Sequence, residues 1–179
     1  MIARAEALAV YKRCIAETAK RLEPLGYRGG GEILRKLADG NAAVVQFQKE
    51  ERGRPGKPKF AVNLGVICGR LLQDWQPELA KADVWHAHLR TRVGETSVIN
   101  GEVSWTPKER EVWWTIDDGV DNTELASEVA DAVTMLGVPL LERYLSTANL
   151  ISLWRGGQAP GLTEVQRERY LAELEGGVA

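Results

Sequence analysis

Apolar and polar positions fall into three regimes along the chain. From Leu8 to Leu22 the apolar residues Leu8, Tyr11, Ile15, Ala19 and Leu22 recur every three or four positions, with Lys12, Arg13, Glu17 and Lys20 between them. That spacing predicts an amphipathic helix, which Pro24 and Gly26 end near Glu23. From Gly29 to Asp117 the period drops to two, the signature of strands with one buried face. A strand over 33–37, the turn Asp39-Gly40-Asn41, and strands over 42–49 and 59–69 follow one another. Val45 and Phe47 share one face of the second of these, opposite Val44, Gln46 and Gln48. In the third, Phe60, Val62, Leu64, Val66 and Cys68 lie opposite Asn63, Gly65 and Ile67.

Residues 71–84 contain Pro77 and a short Glu78–Ala82 run, and are expected to cross the sheet as an irregular or briefly helical segment. Trp85-His86-Ala87-His88-Leu89-Arg90-Thr91-Arg92-Val93 reads as the next strand, with Trp85, Leu89 and Val93 inward and His86, His88, Arg90 and Arg92 outward. Asn100-Gly101 resembles a hairpin turn, and residues 112–117 form the last predicted strand.

Helical spacing then returns. Asp121 to Glu124 fit a capping box for a helix buried through Leu125, Val129, Val133 and Leu136, and Gly137 is expected to stop it. Pro139 starts another helix carrying Leu140, Leu141, Tyr144 and Leu145. Leu150, Leu153 and Trp154 extend the apolar helical material, and Thr163 with Gln166 caps a terminal helix containing Tyr170, Leu171 and Leu174.

Strands gathered between flanking helices predict an α+β fold: an antiparallel sheet of about five strands, packed on one face by N-terminal and C-terminal helices. The other face is expected to be open or partly covered. Residues 1–155 are read as one domain and 156–179 as a helical extension, the most detachable part.

The 179 residues, 44% apolar and 27% charged, suffice for a self-supporting core. A net charge of -2 gives no global attraction to nucleic acid or an anionic membrane, so neither is an expected partner. Two cysteines, Cys14 and Cys68, are too few for a disulfide scaffold and read as small buried apolar residues. With no recognisable signal peptide and no apolar run of about 18 residues, the expected compartment is the cytoplasm.

Four pieces in order, Val44–Lys49, Lys59–Val66, His88–Gly94, and Val112-Trp113-Trp114 followed by Gly137-Val138-Pro139, resemble the family catalogued as domain of unknown function 4304 over Leu8 to Leu145. The resemblance implies a small bacterial α+β domain with no established activity or cofactor. The resemblance also implies, by association alone, a connection of some relatives with toxin and immunity gene neighbourhoods.

The candidate chemistry lies on the polar parity of the sheet: Gln46, Gln48, Asn63, His86, His88, Arg90, Arg92 and Trp113, with Thr115 beside them. Arginines there would hold carboxylate or phosphate, and Trp113 would stack on a planar group or anchor a partner. The plain alternative is a solvated face whose arginines pair with Glu102, Asp117 or other carboxylates. His86 and His88 stand two apart, as metal ligands on a strand would, but no further histidine completes the set and no metal or cofactor is expected. Asp117, Asp118 and Asp121 suit a turn and helix cap better than a cation site. No nucleophile elbow, phosphate-binding loop or His-Glu-x-x-His helix occurs. Trp75, Trp105 and Trp154 are either packing anchors or interface residues.

The expected function is therefore a non-catalytic domain that binds another protein, with an immunity-like antidote as one form. The alternative is a small-ligand protein or an enzyme acting on a phosphate- or carboxylate-bearing substrate, with Arg90 and Arg92 holding the anion and His88 as general acid or base.

Overall fold

A computed structural model describes residues 2–50, 57–99, 102–105, 112–119 and 121–176. Helix α1 (Arg4–Leu22) buries Ala7, Val10, Tyr11, Cys14, Ile15, Thr18 and Leu22. The buried stripe lies one position away from the expected one at its start, because Leu8 faces solvent and Ala7 takes the inward place. Gly26 closes the helix exit in the left-handed region at φ 92.

The sheet runs β1 (Arg28–Gly30), β2 (Ile33–Ala38), β3 (Asn41–Lys49), β4 (Lys59–Cys68) and β5 (Leu89–Arg92) in spatial order, every pair antiparallel. Strands β6 (Thr96–Ile99) and β7 (Glu102–Trp105) pair with each other as a separate ribbon, and β8 (Trp114–Thr115) pairs with the start of β4. The α+β architecture expected from the pattern is the one observed. Asp39 and Gly40 both carry positive φ, 53 and 75, the type I′ geometry whose twist suits the β2–β3 hairpin. The predicted strand over 112–117 narrows to two paired residues, Trp114 and Thr115. Asn100 and Gly101 lie outside the described residues, although the strands on either side pair as that turn requires.

One face of the sheet carries the main core. Leu34, Val45, Phe47, Phe60, Val62, Leu64, Val66 and Leu89 meet α1, α2 (Asn122–Ala132), α3 (Val138–Tyr144) and α4 (Thr147–Arg155) in one continuous apolar cluster. Asp121 caps α2 by accepting the amides of Thr123 and Glu124, and these bonds hold its carboxyl below the usual range. Gly137 does not stop the helix. A π turn over Val133–Gly137 carries α2 directly into α3. Pro139 has no amide and crowds the preceding turn of an α-helix, and the wider turn just before it accommodates both defects. A Cβ on Gly137 would lie 3.1 Å from the Leu64 side chain, so the glycine serves close helix–sheet contact.

The second face is divided. Residues 69–88 cross it and bury a small cluster of Ala42, Val44, Ile67 and Ala82. Beyond that strip the face is polar. Helix α5 (Glu164–Gly176), capped by Thr163 and Gln166, buries Leu174 and sets Tyr170 against His88 and Trp154.

Candidate functional site

Cross-strand register places the polar residues. Gln46 faces Asn63, Asn63 faces Arg92, and Gln48 lies two residues along β3 from Gln46. In the neighbouring row Gly65 faces Arg90. Asn63, only 4% exposed, is fully engaged: its amide donates to Gln48 Oε1 at 2.8 Å, and its Oδ1 accepts from Arg92 Nε at 3.0 Å. The Arg92 guanidinium lies 4.9 Å from the Trp113 ring centroid. Gln48, Asn63, Arg92 and Trp113 thus form one connected strip whose side chains hold each other in place. Gln46 joins it to the crossing segment, its Oε1 accepting the Val84 amide at 3.0 Å.

Register also explains why the arginines are exposed at all. Leu89, Thr91 and Val93 are buried and Arg90 and Arg92 half-buried, so the expected parity holds from Leu89 onward. It fails before that residue. Val84–His86 is a single 3₁₀ turn, not a strand. Asp83 caps it by accepting the Trp85 amide at 3.0 Å, and His86 Nδ1 lies 2.7 Å from the same carboxylate. An aspartate three residues before the histidine is the sequence signal for that turn.

Two residues move as a result. Trp85, expected in the core, is 56% exposed and lies under the Arg90 guanidinium at 5.2 Å. His88, expected on the polar face, is buried, with Nδ1 accepting the Cys68 amide at 3.1 Å and the Tyr170 ring edge-on at 5.0 Å. Burial lowers its pKa to about 4, so the ring is neutral near pH 7. His88 is therefore closed off from any substrate on the polar face. His86 stays at the rim, tied to Asp83, and the two imidazoles do not converge.

The outer edge of β5 is sealed as well. The Arg90 amide donates to Pro160 O at 3.0 Å and the Arg92 amide to Glu95 at 2.9 Å. Glu95 also accepts from Thr91 Oγ1. Asp117 pairs with Lys57 at 3.6 Å and accepts the Gly119 amide rather than meeting an arginine. Cys14 and Cys68 are buried free thiols, and burial pushes the Cys14 thiol up to about 11. Trp154 is fully buried and Trp75 is 82% exposed, while the Trp105 side chain lies outside what is described.

The family model described as a domain of unknown function, DUF4304, matches residues 18–143, more than half of the chain. The chain belongs to the DUF4304 family. All eight predicted site residues and Trp85 fall inside the DUF4304 match, as does the entire sheet, whereas α4 and α5 lie beyond it. No curated protein and no solved structure matches the chain. Among the described residues, no helix is long and apolar enough to cross a membrane. A surface cavity of about 260 Å³, lined by Arg143, Asn149, Ser152 and Gln158 among others, lies between α3 and α4, away from the polar strip.

Proposed function

We propose that this DUF4304 chain is a non-catalytic domain that binds another protein through the polar half of its second sheet face. The observation that carries the reading is the connected strip Gln48–Asn63–Arg92–Trp113, held in position without help from a ligand and flanked by the exposed ring of Trp85. Tryptophan and arginine are the side chains that most often anchor protein interfaces, and preorganisation lowers the entropy lost on docking. Neither histidine is offered to a substrate on this face, since His88 is enclosed and His86 is paired with Asp83. An antidote that occludes a toxin inside a bacterial cell is one form such binding would take.

The test uses the immobilised full chain, with lysate of the source cell, capture and mass spectrometry. A partner retained by the wild type, and lost both from Trp113→Ala and from Arg92→Ala of unchanged fold, is the expected result. Equal retention by wild type and variants, or no specific retention, overturns the reading.

A further inference from the structure

We infer, building on the protein-binding reading above, that the segment this face accepts is an acidic peptide stretch whose carboxylates dock on Arg90 beside the Trp85 ring. The argument starts from the strand rows. Register carries Arg28 opposite Arg35, Arg35 opposite Val44, Val44 opposite Gly65 and Gly65 opposite Arg90. The next row runs Gly30, Ile33, Gln46, Asn63, Arg92, and Lys59 faces Thr115 at the far end. The ionisable strand residues on this face are thus Arg28, Arg35, Lys59, Arg90 and Arg92, with no carboxylate among them, in a chain of net charge -2.

The described acids that flank these strands are each engaged with other groups. Asp83 is engaged with His86, Glu95 with Thr91 and the Arg92 amide, and Asp117 with Lys57. Of the five cations, Arg35 donates to Ala82 O and Lys81 O beneath the crossing segment, and Arg92 is bound to Asn63. Arg90 makes no ion pair among the described residues, and its guanidinium carbon lies over the Trp85 ring, 5.2 Å from the centroid. A guanidinium held over a ring by cation–π attraction spends none of its N–H donors on that contact, and such a fork matches a carboxylate in a charge-assisted, two-bond contact. The backbone beneath is fixed by the Pro160 carbonyl, so little ordering remains to be done on binding.

A nucleic acid fits less well. Both tryptophan rings beside the arginines already carry a guanidinium, leaving less open surface for base stacking.

The probe is a fluorescein-labelled hexaglutamate peptide, titrated with the full chain by anisotropy at low and at high salt. Expected are saturable binding that weakens with salt, a loss of about tenfold in Arg90→Gln, a smaller loss in Trp85→Ala, partial recovery in Arg90→Lys, and no change in Lys12→Gln on the far side of α1. Circular dichroism establishes that each variant is folded. Trp85→Ala, at an exposed ring, keeps the test decisive should Arg90→Gln unfold. No binding at low salt, or equal affinity in Arg90→Gln and Trp85→Ala, overturns the inference. So does displacement of the peptide by pyrophosphate or oligothymidylate at lower concentration than by unlabelled peptide. Failure of the broader reading looks different: hexaglutamate binds through Arg90, yet no protein is captured through Trp113 and Arg92. If a captured partner survives Arg90→Gln, the broader reading stands and this inference falls.

Discussion

Replacing Gly65 by alanine tests how the crossing segment is seated on the sheet. Gly65 lies mid-strand in β4 with ordinary backbone angles, where alanine is normally the better residue. Gly-to-Ala at a compatible site typically gains about 0.4–1 kcal/mol by restricting the unfolded chain. Here the new Cβ would stand 2.8 Å from the Ala87 Cβ and 3.0 Å from Val84 Cγ2. Both neighbours are short and fixed to backbone: Val84 belongs to the capped turn and its amide is held by Gln46. Relief therefore requires the whole 84–87 turn to lift, and overpacking of this kind costs about 1–3 kcal/mol. The net expectation is a loss of about 1–2 kcal/mol, or about 2–8 °C in Tm for a chain of this length. Urea denaturation of wild type, Gly65→Ala, Ala87→Gly and the double variant gives the coupling directly. The double variant is expected to recover most of the loss, because it removes the atom that is met first. A Gly65→Ala protein as stable as wild type, or more so, would refute the close approach, since the conformational gain would then stand alone.

Three further measurements follow from buried or capping groups. His88 has a folded-state pKa of about 4 against an ordinary value near 6.5, so the unfolded chain binds more protons between these values. Stability is thus complete above about pH 6.5 and falls by about 3 kcal/mol as pH drops to 4, and His88→Gln flattens that window in denaturation at stepped pH; an unaltered profile counts against burial as the cause. Asn41 donates to Leu145 O at 2.6 Å and accepts the Gly69 amide at 3.1 Å inside the protein. Asn41→Ala strands the Leu145 carbonyl, while the Gly69 amide keeps its bond to Gly40 O at 3.1 Å, and the change is expected to cost about 1–3 kcal/mol in urea titration, with no measurable loss contradicting the assignment. Asp121→Ala removes the acceptor of the first α2 amides and is expected to lower stability by about 0.5–2 kcal/mol, whereas Asp121→Ser retains most of it.

The parts legible in the sequence are those where a local pattern has one physical solution. Period-two alternation in Val44–Gln48 and Phe60–Cys68 fixes which side chains share a face, and the register then brings Gln46, Gln48, Asn63 and Arg92 together as expected. The Asp39-Gly40 turn, the Asp121 cap and the Thr163–Gln166 cap are likewise set by short-range chemistry. The failures arise where a longer-range contact overrides the pattern. Alternation through Trp85-His86-Ala87-His88 imitates a strand, but Asp83 bends the first residues into a turn. His88 then follows the backbone bond from Cys68 and the packing of Tyr170, eighty-two positions further along the chain. Gly137 reads as a helix stop only because the sequence does not reveal that Leu64 is pressed against it.

The crossing segment links stability and recognition in one piece of chain. Its apolar side closes the cluster of Ala42, Val44 and Ile67, and its last turn presents Trp85 to Arg90. If it covered the entire face, the half-buried Gln48 and Arg92 would lose their outward exposure and need further internal partners. If it were absent, Val44 and Ile67 would stand in water. The division at Gly65 separates the two requirements, because the glycine is where the chain comes close enough to seal one half and then turns away. It follows that Gly65→Ala should disturb stability and hexaglutamate binding together, through displacement of Trp85, while Arg90→Gln should alter binding alone. A Gly65→Ala protein that loses stability yet binds the peptide as the wild type does would show that Trp85 plays no part in the contact, and that Arg90 acts there as a simple charge.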